Sequence, residues 1–443
     1  MQYKLRKRAC PKEPVRTRVE SLTHDGRGLA RVEGKPVFID GALPGEEIDF
    51  IYSDIRRDYA EGRLATVYIP SPERVEPPCS RFGVCGGCSF QHVADTAQIQ
   101  FKQELLVEQF RRIGGLDEVP LAPPLTGPSW GYRDKARLGV KYVARKGRVL
   151  VGFRERSSPF ITDLSRCPVL HPAVGERLNE LAEMIGGLSL RDRLPQIEVA
   201  VGERRAALVF RILADLTAAD ELILREFGHY HGFDIYTQRR GPDSVRLLHP
   251  ERAEPLSYRL DAQGVEFHFQ PTDFTQVNIE INRKLVDRVM EWLDPQPGDR
   301  LLDLFCGIGN FSLPLATRAG LVVGVEGSVD AVQRATENAD ANRLSNVEFH
   351  AADLSQDFEE AAWATASYDK ILLDPSRAGA ERVAECMDRW GAARVVYVSC
   401  NPSTLARDAA ILVRKSGYRL VRTGVMDMFP QTAHVESIAR FEK

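Results

Sequence analysis

The sequence predicts an α/β protein with a Rossmann-like C-terminal domain, a small N-terminal β-barrel and a mostly-β central domain. From about residue 274 onward, short apolar strands alternate with helices of about ten residues or more, which is typical of a parallel, doubly wound sheet. Before residue 71 the chain carries short strands separated by glycine-containing turns, which is typical of a barrel. At 443 residues, the chain also exceeds what one hydrophobic core usually supports.

The composition is that of ordinary globular domains, with 43% apolar residues, 27% charged residues and a net charge of −3. No apolar stretch follows the N-terminal charges, and no run of about 18 apolar residues occurs, so we expect no signal peptide and no membrane contact. Eight cysteines are too few for a disulfide scaffold. We therefore expect a cytoplasmic protein in which clustered cysteines indicate a metal site or catalysis.

The first 18 residues form a basic arm with one acidic residue, Glu13. Its seven cations are Lys4, Arg6, Lys7, Arg8, Lys12, Arg16 and Arg18. Such an arm can follow a phosphate backbone, or it can be a solvated tail, and the sequence leaves both interpretations open.

Residues 12–71 predict a barrel of about five short strands, of the oligonucleotide-binding type. The segment Leu43-Pro44-Gly45-Glu46, which follows the strand Val37-Phe38-Ile39, resembles part of a TRAM domain. This resemblance implies an RNA-binding barrel attached to an RNA-modifying enzyme. The alternative is a structural barrel that binds no ligand.

Residues 72–270 read mostly as strands, with one helix predicted at Pro172–Ile185 and another over residues 95–114 that we expect to pack on the catalytic domain. One strand carries a basic stripe on one face. Its cations are Arg133, Lys135, Arg137 and Lys141, while Ala136, Leu138 and Val140 point inward. The stripe suits a phosphate backbone, although an ordinary solvated face explains it nearly as well.

Residues 271–443 form the third part, and its first strand ends in a glycine turn. Asp303 opens the turn, which contains Gly307 and Gly309, and Glu326 closes the second strand 19 residues after Gly307. Glycines let the backbone approach a ligand, and an acid at that position can accept hydrogen bonds from ribose. The third glycine of the dinucleotide fingerprint is missing. The Asp-x-x-x-Gly-x-Gly pattern instead resembles motif I of Rossmann-like methyltransferases, in which the acid that ends the third strand, here Asp353, often holds the adenine amino group.

Polar side chains end two further strands and open the last one. Asp374 follows the fourth strand, Cys400 follows the fifth, and Glu436 begins the final strand at the same edge. A thiol beside a carboxylate predicts a nucleophile with a base. Taken singly, Cys400 fits a buried structural cysteine better than a nucleophile, because buried cysteines at the ends of apolar strands are common. Cys306 is a competing thiol, but it lies within the glycine turn.

Four motifs together resemble the RNA uracil-5-methyltransferases. They are Asp303-Leu304-Phe305-Cys306-Gly307-Ile308-Gly309-Asn310-Phe311, Asp374-Pro375-Ser376-Arg377, Ser399-Cys400-Asn401-Pro402 and His434-Val435-Glu436-Ser437. The resemblance implies Cys400 as nucleophile and Glu436 as general base, acting on a uracil flipped out of its RNA. It also implies an S-adenosylmethionine site made by Gln276, Phe305, Asn310, Glu326, Asp353 and Asp374. Asp374 would position the cofactor or the uracil.

A cysteine cluster predicts a metal centre in the central domain. Cys79, Cys85 and Cys88 lie close together in the sequence, and Cys167, which precedes a proline, is the best fourth ligand. Four thiolates suit zinc or an iron–sulfur cluster, and three close cysteines with a distant Cys-Pro favour [4Fe–4S]. The resemblance points the same way, because the branch of the family that methylates uracil 1939 of 23S ribosomal RNA combines a TRAM domain, such a cluster and a catalytic domain in this order. It implies 23S ribosomal RNA as partner; we expect no DNA partner and a monomer.

Three other functions fit parts of the sequence. A radical methylthiotransferase also pairs a TRAM domain with a cluster, but radical S-adenosylmethionine enzymes space the first two cysteines by three residues rather than five. RNA 5-methylcytosine methyltransferases generally carry a second cysteine at the end of the fourth strand, where this chain has Asp374. A non-catalytic RNA-binding protein would not need the pairing of Cys400 with Glu436.

Overall fold

The computed structural model describes residues 10–443. The chain divides into two compact units, one containing the chain up to Phe101 together with Pro430–His434, and the other containing Lys102–Phe429 and Val435–Lys443. Within the described residues, no helix combines the length and the apolar character needed to cross a membrane. The division at residues 71 and 270 that the sequence suggests remains a prediction.

The first unit contains a six-stranded sheet in the order β1-β5-β6-β4-β3-β2. Its strands are β1 (Val15–Arg18), β2 (Ser21–Leu22), β3 (Gly28–Val32), β4 (Lys35–Asp40), β5 (Glu47–Ile55) and β6 (Ala60–Ile69). Alternate side chains of these strands, such as Val37, Ile39, Ile48 and Phe50, are buried in a common core. The sheet has one strand more than expected, because the chain leaves β1 where Val19 N donates to Glu46 O and re-enters the sheet as β2.

The described residues include only part of the basic arm. Lys4, Arg6, Lys7 and Arg8 lie outside the described residues. Arg16 donates from Nε to Asp49 Oδ1 at 2.7 Å, and its guanidinium lies 3.6 Å from the centre of the Tyr68 ring. Arg16 is therefore engaged with the sheet itself.

Helix α1 (Asp95–Gln109) follows, and a π-helical turn (Phe110–Gly114) continues it over the predicted range 95–114. Gly115, with φ of 62°, ends the helix in the left-handed conformation. The buried residues Leu106 and Phe110 lie on its inner face. Arg414 Nη2 donates to Gly114 O at 3.0 Å, which ties the end of the helix to a helix near the C-terminus.

A second sheet of six strands has the order β12-β11-β10-β9-β7-β8. Its elements are β7 (Lys135–Val143), β8 (Arg148–Gly152), α2 (Pro172–Gly175), α3 (Leu178–Gly186), β9 (Gln196–Val201), β10 (Ala206–Arg211), α4 (Ala218–His231), β11 (Phe233–Gln238) and β12 (Val245–His249). The helix expected at 172–185 is two helices, since Arg177 breaks it with ψ of 18°. Helix α4 was not expected. A reciprocal capping box between Thr217 and Asp220 begins it, and that Thr-x-x-Asp spacing is visible in the sequence.

A hairpin and a long helix lead into the C-terminal sheet. They are β13 (Leu256–Leu260), β14 (Val265–Phe269) and α5 (Ile279–Leu293). The sequence pattern predicts a helix over Phe274–Leu293. In the structure, Asn278 caps α5 by accepting a hydrogen bond at Oδ1 from Ile281 N at 3.2 Å. The residues before Asn278 therefore remain outside the helix.

The last sheet has seven strands in the order β17-β16-β15-β18-β19-β21-β20, of which the first five are parallel. Its elements are β15 (Arg300–Leu304), α6 (Ser312–Ala316), β16 (Leu321–Glu326), α7 (Val329–Ala341), β17 (Val347–Ala351), β18 (Lys370–Leu373), α8 (Glu381–Glu385), β19 (Arg394–Ser399), α9 (Pro402–Arg414), β20 (Arg419–Met426) and β21 (Glu436–Glu442). Strand β21 runs antiparallel to β19 and β20. The carboxyl ends of the five parallel strands and the start of β21 therefore meet at one edge, as expected for a Rossmann-like fold.

Candidate active site

Three adjacent strands bring Asp374, Cys400 and Glu436 to this edge. Asp374 directly follows β18, Cys400 follows β19, and Glu436 begins β21. In the antiparallel ladder Ser399 faces Ser437, and Ser437 Oγ donates to Ser399 O at 3.2 Å. Since Cys400 and Glu436 are the next residues beyond that pair, their side chains belong to neighbouring positions at the strand ends.

The surroundings of Cys400 oppose ionisation of its thiol. Burial raises the pKa of Cys400 to about 11, and the nearby carboxylates of Glu436 and Asp374 act in the same direction. The Arg377 guanidinium acts in the opposite direction and lowers this pKa. The thiol is therefore protonated at neutral pH in the unliganded protein, so nucleophilic attack requires loss of its proton at that moment.

Asp374 shares this negative environment. Burial raises its pKa well above the usual range, with further contributions from Glu436 and Asp303. Its backbone N–H donates to Leu304 O at 3.2 Å, which links the ends of β18 and β15. Burial and these acidic neighbours therefore favour the protonated form of Asp374, in which the carboxyl group can donate a hydrogen bond.

The glycine turn after β15 is folded through left-handed residues. Phe305, Gly307 and Gly309 have φ of 68°, 56° and 88°. A Cβ at Gly309 would lie 2.5 Å from Leu313 Cδ1, so the turn has no space for a side chain there. Gly307 N donates to Glu326 Oε2 at 3.2 Å, and this bond joins the turn to the end of β16.

Beneath the turn, Asp303 is fully buried. Its Oδ2 accepts a hydrogen bond from Ser312 Oγ at 2.5 Å, whereas its Oδ1 has no hydrogen-bond partner in the described part of the chain. Burial raises the pKa of Asp303 to about 7. An open glycine turn above an acid with an unused acceptor fits a ligand that carries ribose hydroxyls and a cationic amino group, such as S-adenosylmethionine.

Asn310, just after the turn, is held by two residues that were not predicted. Its Oδ1 accepts hydrogen bonds from Tyr258 Oη and from Asn282 Nδ2, both at 2.9 Å, and its Nδ2 donates to Asn282 Oδ1 at 3.0 Å. Tyr258 and Asn282 also line a cavity of about 320 Å³, whose wall contains Gln276. Tyr258 and Asn282 lie outside every motif, so only the folded chain shows their role.

Asp353 lies at the same edge but is exposed. Its Oδ1 accepts hydrogen bonds from Ser355 N at 2.9 Å and from Ser355 Oγ at 2.7 Å, and these bonds lower its pKa. The structure therefore places Phe305, Glu326, Asp353 and Asp374 at the carboxyl ends of β15, β16, β17 and β18, and Asn310 after the glycine turn that follows β15. Their functional roles, and those of Gln276, Cys400 and Glu436, stay predictions at this point.

The other thiols differ in setting. Cys306 is buried within the glycine turn, and burial raises its pKa well above the usual range, which suits a structural residue. Of the predicted cluster ligands, Cys79 is half-buried, while Cys85, Cys88 and Cys167 are buried. Between residues 10 and 443, no group of three or more His, Cys, Asp or Glu side chains is arranged to hold a metal ion. The cluster prediction therefore rests on the identity and the spacing of these cysteines in the sequence.

The basic stripe on β7 follows the expected alternation, with Ala136, Leu138 and Val140 buried. Arg137 and Lys141 are exposed, but Lys135 is not part of an open cationic surface. Its Nζ donates to Asp273 O, and burial lowers its pKa to about 8. The available stripe is therefore shorter than the sequence suggests.

Comparisons with known proteins agree with this geometry. The model of the tRNA (Uracil-5-)-methyltransferase family matches residues 253–443, and the TRAM domain model matches residues 9–65. Among solved structures, the chain is similar to Pyrococcus abyssi tRNA (uracil-54, C5)-methyltransferase in complex with S-adenosyl-L-homocysteine. The TM-score is 0.72 at 27% identity, over 96% of this chain and 100% of that one.

Two curated relatives match nearly the whole chain. The 23S rRNA (uracil(1939)-C(5))-methyltransferase RlmD of Methylococcus capsulatus is 57% identical over 443 residues, covering 100% of both chains. The protein of the same name from Alkalilimnicola ehrlichii is 52% identical over 99% of this chain and 98% of its own. The predicted family and the predicted N-terminal TRAM domain are confirmed. The chain belongs to the family of 23S rRNA (uracil(1939)-C(5))-methyltransferases.

Proposed function

We propose that this chain is the enzyme that methylates carbon 5 of uridine 1939 in 23S ribosomal RNA, with S-adenosylmethionine as methyl donor. The observation that carries the proposal is the convergence of Cys400, Asp374 and Glu436 at the ends of three adjacent strands. Full-length similarity to the 23S ribosomal RNA enzymes supports this substrate over a transfer RNA.

Cys400 is the proposed nucleophile. Carbon 5 of uracil is too weakly nucleophilic to take a methyl group unaided. When Cys400 gives up its proton to water and the thiolate adds to carbon 6, the carbon 5–carbon 6 double bond opens, and its electron pair forms an enolate whose charge reaches carbon 5. S-adenosylmethionine, when bound, supplies an electrophilic methyl group on a sulfonium, which carbon 5 attacks.

Glu436 is the proposed general base for the last step. After methylation, carbon 5 carries both a proton and the new methyl group. The Glu436 carboxylate takes the proton, its electron pair re-forms the carbon 5–carbon 6 double bond, and the sulfur of Cys400 leaves as thiolate. Burial favours the protonated form of Asp374, and in that form its carboxyl group can donate a hydrogen bond at the same edge while Glu436 accepts the proton.

The methyl donor would be held by the residues around the glycine turn. Glu326 would accept hydrogen bonds from the ribose and Asp353 from the adenine amino group, while Asn310, fixed by Tyr258 and Asn282, would orient the donor beside Cys400. Gln276, Phe305 and Asp374 complete the proposed set. Support comes from the position of Phe305, Glu326, Asp353 and Asp374 at the ends of four adjacent strands, with Asn310 after the glycine turn and Gln276 in the wall of the cavity.

The test uses a 23S ribosomal RNA fragment containing position 1939 and labelled S-adenosylmethionine. We expect Cys400→Ala to abolish methyl transfer while S-adenosylmethionine binding persists. We expect Glu436→Gln to accumulate a covalent enzyme–RNA adduct that survives denaturing electrophoresis, because the adduct cannot eliminate. Normal turnover by Cys400→Ala, or normal turnover without adduct by Glu436→Gln, would contradict the respective assignment.

We also propose that Cys79, Cys85, Cys88 and Cys167 hold a [4Fe–4S] cluster. The spacing of three close cysteines and a distant Cys-Pro supports it, as does the shielded position of three of the thiols. Anaerobically purified protein should contain about four iron and four sulfide per chain. Stoichiometric zinc without iron would overturn this assignment.

The remaining features suit an RNA enzyme that acts alone. The TRAM domain supplies an RNA-binding fold, and Arg137 and Lys141 supply exposed cations. A single chain carries all three reacting groups, so we propose a monomer. Ribosomal RNA as substrate places its activity in the cytoplasm.

A further inference from the structure

A lysine of helix α1 is buried next to the reacting groups. The Lys102 side chain is 0% exposed. Its Nζ donates to Asp427 Oδ1 at 2.7 Å and to Phe429 O at 3.1 Å. Asp427 is itself buried, so the two charges form a shielded ion pair between residues 325 positions apart.

Such a pair needs an explanation other than stability. Burial lowers the pKa of Lys102, and the carboxylates of Asp427 and Glu436 offset this by raising it. Because the desolvation cost of a buried ion pair commonly equals or exceeds its attraction, an apolar pair of the same volume would serve the core as well. The position of the pair gives a better reason for it.

The pair lies beside the first residue of β21. In the ladder between β20 and β21, Met426 faces Glu436, and Asp427 is the next residue after Met426. Asp427 N also donates to Leu125 O at 2.8 Å. Lys102 therefore fastens the chain at the rung opposite Glu436, through both the Asp427 carboxylate and the Phe429 carbonyl.

We propose that Lys102 is a positioning residue for the general base: it holds the start of β21, and Glu436 with it, in place for removal of the carbon 5 proton. This inference rests on the proposed function, in which Glu436 is that base. Lys102 acts through its bonds to other residues of the protein. The step that it serves is the elimination of Cys400 from the methylated uracil.

The experiment measures adduct formation and adduct decay separately, in single turnovers with a labelled RNA fragment containing position 1939. Lys102→Met is the direct variant. The double variant Lys102→Met with Asp427→Leu removes both charges, so no carboxylate is left buried alone and folding is preserved. We expect adduct to form at the wild-type rate and to decay about 10- to 100-fold more slowly, which is part of the contribution of a well-placed general base.

The comparison of adduct formation with adduct decay separates positioning from a merely structural role, because general damage slows both steps alike. Lys370→Met, which breaks the pairing of Lys370 with Asp299 at the opposite edge of the sheet, is the matched control and should change neither rate.

Two results would overturn the inference. One is adduct decay at the wild-type rate in the folded double variant. The other is an equal slowing of adduct formation and decay, which indicates general damage. Glu436→Gln is measured in parallel: if that variant stalls as an adduct while the Lys102 variants do not, the inference about Lys102 fails and the proposed function stands. If Glu436→Gln eliminates normally, the base assignment itself fails.

Discussion

Cys400 carries the proposed chemistry in surroundings that keep its sulfur protonated. Its pKa is raised to about 11 by burial and by the carboxylates of Glu436 and Asp374. A thiol in this state is a poor target for oxidants and stray electrophiles, because the thiolate is the reactive form. The proposed nucleophile is therefore protected until RNA enters the site and a proton can be removed.

The ionisation of Cys400 can be measured directly. Alkylation of Cys400 by iodoacetamide, followed by peptide mass spectrometry, should accelerate with pH up to a midpoint of about 11. Glu436→Gln removes one neighbouring negative charge, so we expect this midpoint to fall. The control is Glu348→Gln, an exposed acid on β17, which should leave the midpoint where it is. An unchanged or higher midpoint in Glu436→Gln would contradict the proposed proximity.

At the scale of elements, the turn between β15 and α6 determines how closely a ligand can approach. Gly309 is left-handed at φ of 88°, and a Cβ there would meet Leu313 Cδ1 at 2.5 Å. Any side chain at this position must push the first turn of α6 away from the strand end. The turn therefore requires glycine at position 309 for two reasons: its left-handed backbone and the lack of space beside Leu313.

We expect Gly309→Ala to weaken the binding of S-adenosylhomocysteine at least about tenfold, because about 1–2 kcal/mol of left-handed strain is joined by the clash with Leu313. Isothermal titration calorimetry measures this affinity. Gly391→Ala is the matched control, since Gly391 is also left-handed at φ of 68° but has no atom near its Cβ position. Equal affinities for the two variants would show that the turn does not shape the ligand site.

The order of strands and helices in the C-terminal half could be predicted because buried parallel strands read as apolar runs separated by amphipathic helices. The boundaries of the helices were harder to predict from the sequence. The start of α5 depends on the side chain of Asn278, and α4 depends on a capping box at Thr217 within an otherwise strand-like region. Hydrogen bonds of single side chains decide where these helices begin, and the periodicity of apolar residues does not reveal those bonds.

The residues of the candidate site also divide into those that could be predicted from the sequence and those that could not. Residues at strand ends, such as Cys400 and Glu436, could be predicted since parallel strands place their carboxyl ends at one edge. Contacts between distant segments could not be predicted. Lys102 bonds to Asp427 across 325 positions, and Tyr258 bonds to Asn310 across 52. Nothing in the neighbourhood of Lys102 in the sequence distinguishes it from a solvated helix residue.

For the molecule as a whole, one chain combines an N-terminal TRAM domain, a second sheet with a basic strand, and a C-terminal domain that carries the reacting groups. Similarity to the 23S ribosomal RNA enzymes extends over the full length and so includes all of these parts. The similarity to the Pyrococcus abyssi enzyme also covers nearly the whole chain, at 27% identity. Substrate choice is therefore the property of the whole molecule that most needs measurement.

The most direct test is to map 5-methyluridine in ribosomal and transfer RNA by mass spectrometry, in cells with the gene, without it, and complemented with the Cys400→Ala variant. We predict that 5-methyluridine at position 1939 of 23S ribosomal RNA is lost without the gene, returns with the wild-type gene and stays absent with Cys400→Ala, while transfer RNA is unaffected. Persistence of the methyl group at position 1939 without the gene, or its return with Cys400→Ala, would contradict this account.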